Sequence, residues 1–88
     1  MQKPKAYVEL VQEVEAIQYL GHENEEAVML WIESHGDRAY AMTPGEHIHI
    51  ETKFMHFTLQ RTDWLLRTSR NKWQVVPGDV FPHSWRTK

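Results

Sequence analysis

The sequence predicts an α+β fold: an antiparallel β-sheet, a meander of about five strands, with one amphipathic helix over about residues 25–35 packed on it. Three observations predict it. Asn24 to Gly36 carries apolar residues at helical spacing between a capping residue and a terminating glycine. Glu46 to Gln60 alternates apolar and polar residues twice in succession. Trp64 to Val76 repeats that alternation on either side of a short polar turn.

The N-terminal stretch Ala6 to Tyr19 (AYVELVQEVEAIQY) fits two periods. Val8, Leu10, Val14, Ala16 and Gln18 form one alternating set, and Val11, Ile17 and Tyr19 another. Leu10, Val14 and Ile17 also have helical spacing. Gln12-Glu13 marks a bulge or a break between strands, and Gly21 ends the segment. In the helix, Asn24 is the expected N-cap, and Glu25 and Glu26 stand in the first turn, where the helix dipole favours negative charge. Ala27, Leu30, Trp31 and Ser34 form its expected stripe, with Val28 and Ile32 widening it. Gly36 suits the residue after the C-cap.

Tyr40 and Met42 begin a short extended piece that ends at the Pro44-Gly45 turn. In the next hairpin Ile48 and Ile50 alternate with His47, His49 and Glu51, and Met55, Phe57 and Leu59 with Phe54, His56 and Thr58. A two-residue turn at Thr52-Lys53 sets Ile48 opposite Phe57, Ile50 opposite Met55, His49 opposite His56 and His47 opposite Thr58. These turn residues suit a type I′ turn poorly, so a longer loop is the alternative. A second hairpin pairs Trp64–Thr68 with Lys72–Val76 around Ser69-Arg70-Asn71. The two hairpins together give a four-strand meander.

The C-terminal segment RTDWLLRTSRNKWQVVPGDVFPHSW resembles a family of small tailed-phage proteins with the consensus GDWIIKGVKGEFYPCKPDIFEATY. Without a gap, Asp63, Trp64, Leu65 and Leu66 fall on GDWII, Trp73 on the aromatic of GEFY, Asp79, Val80 and Phe81 on PDIF, and Trp85 on the final Tyr. Val14 to Tyr19 is similar to that family's VEAIQY opening. The resemblance covers most of the chain, least well Asp37 to Glu46. Thr62 stands where Gly is usual, Pro77-Gly78 replaces Lys-Pro, and Asn71 holds a turn position that tolerates positive φ. The resemblance implies that Val14 to Tyr19 is a strand. It also implies a phage-encoded accessory protein that acts by binding a host protein, in the host cytoplasm, to modulate a host pathway.

Composition narrows the classes. Eighty-eight residues make one domain with one modest core, which oligomerisation often supplements. The absence of cysteine excludes disulfides and thiolate metal sites. MQKPKAYVEL has no apolar signal region, and no apolar run approaches the ~20 residues of a membrane span. Residues 1–52 carry ten acids and three bases, and residues 53–88 two acids and seven bases. Such halves either pair their charges across the surface or present a basic face to a partner.

That basic face supplies the expected binding residues: Arg61, Arg67, Arg70 and Lys72, with the aromatics Phe54 and Trp85. Arginine forks suit phosphate, and cations among aromatics suit a nucleotide or single-stranded nucleic acid, the alternative to a host protein. A homo-oligomer, most simply a symmetric dimer, is expected through Tyr7, Phe54, Trp85 and an open sheet edge.

His47, His49, His56 and Glu51 share one expected hairpin face and form a possible Zn, Fe or Mn ligand set, loosely like a cupin's. Cupins space that Glu farther from the second His and need a longer chain. The ordinary reading is a polar solvent face, so no metal and no cofactor is assigned. Ser34, Ser69 and Ser84 have no motif around them, and Asp63 and Asp79 read as turn caps, Asp79 for a turn at Val80-Phe81. The chain therefore reads as a binder, not an enzyme; a metal-dependent enzyme would need the histidine set filled.

Overall fold

A computed structural model of the chain describes residues 4–9, 12–79 and 86–87. The described residues form an α+β fold of eight strands and one α-helix. In chain order these are β1 (Lys5–Glu9), β2 (Gln12–Gln18), α1 (Glu25–Ser34), β3 (Arg38–Thr43), β4 (His47–Glu51), β5 (His56–Gln60), β6 (Trp64–Thr68), β7 (Trp73–Val76) and β8 (Arg86–Thr87). A 3-10 turn at Gly21–Glu23 leads from β2 into the helix.

The strands do not make one meander. They divide into a five-stranded sheet in the order β7-β6-β2-β1-β8 and a three-stranded sheet in the order β3-β4-β5. The four-strand meander expected from the two hairpins fails at β5 and β6, which lie in different sheets. The reason is visible in β6. Leu65 and Leu66 are adjacent and both fully buried, so this strand is covered on both faces. It sits between β2 and β7, with Ile17 opposite Leu65 and Ala16 opposite Leu66. A one-faced strand such as β5 alternates and can stand at an edge.

The three-stranded sheet and α1 enclose the main core with one face of the larger sheet. Ile17, Tyr19 and Leu65 meet Val28 and Ile32 of the helix and Ile48, Ile50 and Leu59 of β4 and β5. The opposite face of the larger sheet gathers Val14, Ala16, Leu66 and Val76, with Trp64 against them. Each fully buried aliphatic side chain stabilises the fold by about 1.5–3 kcal/mol relative to exposure.

The helix buries a different stripe from the one expected. Val28 and Ile32, one turn apart, are completely buried, whereas Leu30 and Ser34 face outward. Both faces of this helix offer apolar residues, and contact with β3 and β4 selects the Val28–Ile32 side. The helix ends at Ser34, one residue short of the expected boundary. Asn24 makes no side-chain capping bond. Instead its Oδ1 accepts from Leu20 N–H at 2.8 Å and its Nδ2 donates to Gln18 O at 2.7 Å, bracing the end of β2.

The β4–β5 hairpin keeps the expected faces and shifts the expected register by two residues. Ile48 pairs with Leu59, Ile50 with Phe57 and Glu51 with His56. The loop is Thr52 to Met55. Thr52 Oγ1 accepts from the Phe54 and Met55 amides, and Thr52 N–H donates to Met55 O. Met55 is consequently a loop residue, 55% exposed, and not a core residue. The break expected near Gln12-Glu13 falls between β1 and β2, which pair antiparallel; positions 10 and 11 are outside the described residues.

The turns carry the remaining constraints. Thr43 to Glu46 closes with Glu46 N–H on Thr43 O, with Gly45 at φ 81°, as a Pro-Gly type II turn requires. Asn71 adopts φ 60° in the β6–β7 turn, as its position suggested. Asp63 Oδ2 accepts from Gln60 N–H, so this acid caps a turn. The turn at Val80-Phe81 assigned to Asp79 lies outside the described residues.

Candidate functional site: a basic aromatic cleft

The strands and helix run between two ends of the molecule. At one end three loops converge: the exit of α1 (His35, Asp37), the β4–β5 loop (Thr52 to Met55) and the β6–β7 hairpin (Arg67, Asn71 to Trp73). They line an open cleft of about 440 Å³.

Trp73 is its organising residue. The β6–β7 register sets Trp73 directly opposite Arg67. The Arg67 guanidinium lies 4.5 Å from the centre of the Trp73 ring, a cation–π contact. Trp31 and His35 meet the same indole edge-on, with centroids 5.1 and 5.4 Å away. Trp73 Nε1 donates to Asp37 Oδ2 at 2.6 Å. Arg67 and Trp73 are thus held in place. Arg67 Nε is buried with no hydrogen-bond partner.

The opposite rim is apolar and exposed. Phe54 is 89% exposed at the tip of the β4–β5 loop, with Lys53 Nζ 5.7 Å from its ring centre. Among the described residues Lys53, Arg67, Arg70 and Lys72 have no carboxylate within ion-pair distance; the ion pair present is Glu51 with His56 on another face. Asp37 is the cleft's acid, and it is engaged by the indole. The cleft can therefore bind an anionic group beside an apolar one.

The structure brings together Phe54, Arg67 and Lys72 of the expected binding residues. Arg70 stands exposed in the β6–β7 turn, outside the cleft lining. Arg61 does not join them. It lies at the other end of the molecule, in a hollow with His22, Glu23, Gly45 and Glu46. The physical reason is strand length: Arg61 precedes β6 and Arg67 lies near its far end, so most of a strand separates them. Trp85 lies outside the described residues, as does the Tyr7 side chain, although Tyr7 itself is on β1.

Comparison with protein-family models, with curated proteins and with solved structures finds no match. The site is therefore read from its own geometry. No described helix is long and apolar enough to cross a membrane.

Sequence reasoning missed His35, Asp37, Lys53 and Met55 as cleft residues. Asp37 and Trp73 are 36 positions apart, and no local pattern links them. Lys53 carried a weak signal as a cation beside Phe54, hidden by its assignment to a tight turn.

The histidine face forms as expected on the outer side of the three-stranded sheet. His49 Nε2 and His56 Nδ1 are 3.3 Å apart, and Glu51 Oε2 is 3.6 Å from that same His56 nitrogen. The Tyr40 ring lies beside His49, with centroids 6.4 Å apart. No group of three His, Asp or Glu side chains among the described residues is gathered to hold a metal ion.

Proposed function

We propose that this chain is a binding protein and not an enzyme, and that its cleft receives a host protein segment bearing acidic and apolar side chains. One observation carries the reading: a phenylalanine 89% exposed stands at the rim of a cleft whose cations, Lys53, Arg67 and Lys72, have no described acidic partner. An exposed aromatic anchor beside unpaired positive charge is what an interface needs, the ring for affinity and the charge for encounter rate and orientation. The hydroxyl in the cleft lining, Thr52, is engaged in its own loop, which weighs against a nucleophile there. The resemblance to small tailed-phage proteins supports a phage origin, action in the host cytoplasm and the modulation of a host pathway as the outcome.

The test uses the full chain as bait against host lysate, beside a Phe54→Ala/Lys72→Glu variant. A partner that wild type retains, that the variant loses and that elutes with salt supports the reading. A partner retained equally by both proteins overturns it.

A nucleotide is the second reading. The cleft volume falls within the few hundred Å³ typical of small-ligand sites, and Arg67 with Lys72 could take its phosphates. Native mass spectrometry of the purified chain distinguishes the two by a copurifying small anion. Self-association is a further proposal, supported by the edge strands β3 and β5 of the smaller sheet. Light scattering coupled to size exclusion tests it: a 10.5 kDa species at all salt concentrations would exclude it.

A further inference from the structure

We infer that His49 and His56 form a binding site for a divalent transition-metal ion, Zn²⁺ or Cu²⁺, on the outer face of the three-stranded sheet, outside the cleft lining. The ordinary reading of this face is a polar surface, and the geometry argues for more. His49 lies on β4 and His56 on β5. Their direct partners across the ladder are Thr58 and Glu51, so the two imidazoles are diagonal neighbours on the same side. Side chains so placed need not converge. These do: Nε2 of one ring stands 3.3 Å from Nδ1 of the other.

That separation has a specific meaning. A tetrahedral zinc ion with Zn–N bonds of about 2.0–2.1 Å holds neighbouring ligand nitrogens about 3.3–3.4 Å apart. The imidazole pair already has the edge length of such a site. Without a metal, the two nitrogens approach only if one is protonated and donates to the other, a long hydrogen bond between exposed rings. A metal ion satisfies both lone pairs at once.

The surroundings supply charge. Glu51 Oε2 is 3.6 Å from His56 Nδ1 and offers a negative charge next to the cation. It can hydrogen-bond a metal-bound water, the outer-shell role that tunes a metal's affinity. Two protein nitrogens leave the remaining positions to water, so the site is open and exchangeable. Imidazole suits zinc and copper(II) better than magnesium or calcium, which prefer oxygen. The ion would clip β4 to β5 across the hairpin, and binding only the folded chain would raise its stability. Protons compete for the same nitrogens, so affinity falls as the pH drops.

The test uses the full chain purified without a histidine tag and stripped with chelator. Zinc is titrated calorimetrically into wild type, His49→Ala, His56→Ala and His47→Ala, with melting curves recorded with and without the ion. Wild type and His47→Ala are expected to take one equivalent and to melt higher with zinc. His49→Ala and His56→Ala are expected to lose both effects while keeping the apo melting temperature. Cobalt(II) in place of zinc should give the intense visible absorption of a four-coordinate site in wild type and His47→Ala, and in neither His49→Ala nor His56→Ala. If the His49→Ala/His56→Ala double variant binds zinc as wild type does, or if wild type takes up none, the site does not exist. Neither outcome touches the cleft, whose residues are unchanged in every variant.

Discussion

Tyr19→Phe isolates the contact that fastens the end of the molecule opposite the cleft. Tyr19 is completely buried, and its hydroxyl donates to Glu25 Oε2 at 2.5 Å. The same carboxylate oxygen accepts from Gly45 N–H at 2.7 Å. One side chain thus joins the exit of β2, the first turn of α1 and the β3–β4 turn. Removing the hydroxyl leaves the ring's packing intact and deletes one hydrogen bond to a charged acceptor, worth about 1.5–3 kcal/mol. The pH dependence identifies the bond. Burial pushes the Glu25 carboxyl up, but the hydrogen bonds from Tyr19 and Gly45 and the nearby His22 outweigh it, and the net shift is downward. A carboxylate depressed in the folded state contributes stability above its unfolded pKa of about 4.3, and that contribution is lost as pH falls through the folded value. Tyr19 is shifted upward, first by burial and then by Glu25, so it remains a donor throughout that range. Urea denaturation followed by tryptophan fluorescence, at neutral pH and in steps below pH ~4.3, is the assay. Tyr19→Phe should lose about 1.5–3 kcal/mol at neutral pH and progressively less in acid. An equal loss at every pH, or none at neutral pH, would refute the charge-assisted bond.

Further substitutions test the fold. Ile50→Ala, at a fully buried site, should cost about 2–5 kcal/mol in chemical denaturation, and Phe57→Ala, only half-buried, no more than the low end of about 3–5, while His56→Ala on the outer face stays within about 0.5. Thr62→Gly should stabilise: a β-branched residue at φ 80° stores about 1–3 kcal/mol of strain, partly offset by glycine's greater unfolded-state freedom, so the melting temperature should rise. Gly45→Ala should destabilise by more than about 1 kcal/mol, because φ is 81° and an added Cβ would stand 2.5 Å from His22 Nε2; His22→Ala in the same chain should recover the part due to the clash, which a double-mutant cycle measures.

Local pattern made much of this fold legible and left its global pairing out. The two hairpins and the helix are set by neighbours in sequence and stand where the alternation placed them, although the loop of the first hairpin is Thr52 to Met55 and the Asn24 side chain does not cap the helix. The two-residue register error in β4–β5 left every face correct, because side chains alternate with period two. The division into two sheets was not legible, since it depends on β6 choosing β2 over β5. The adjacent Leu65-Leu66 was the available signal, for a strand with two apolar neighbours in succession needs cover on both faces. Glu25 was read as an acid favoured by the helix dipole, and its larger role depends on Tyr19 and Gly45, which only the folded chain brings to it. In the cleft, the basic and aromatic residue types were legible, but their grouping was not: Arg67 and Lys72 converge with Phe54, and Arg61 does not.

The separation of the two ends has a physical logic. Around Glu25, polar groups are enclosed and must be satisfied, since an unpaired buried donor or acceptor costs about 1–3 kcal/mol. That end is accordingly knit by hydrogen bonds among Tyr19, Leu20, Asn24, Glu25 and Gly45. At the cleft, Lys53, Lys72 and Phe54 stand in the open, where unpaired cations cost the fold little because water solvates them. Trp73 is fixed from behind by Trp31, His35 and Asp37, and Arg67 lies over its ring, so the cleft has a held wall and an exposed rim. A held wall lowers the entropy lost on binding, and an exposed rim can change its side chains without unfolding the protein. The rim, whose exposed side chains contribute least to packing, is where cations and an aromatic residue are gathered, and that is what directs the proposed partner there.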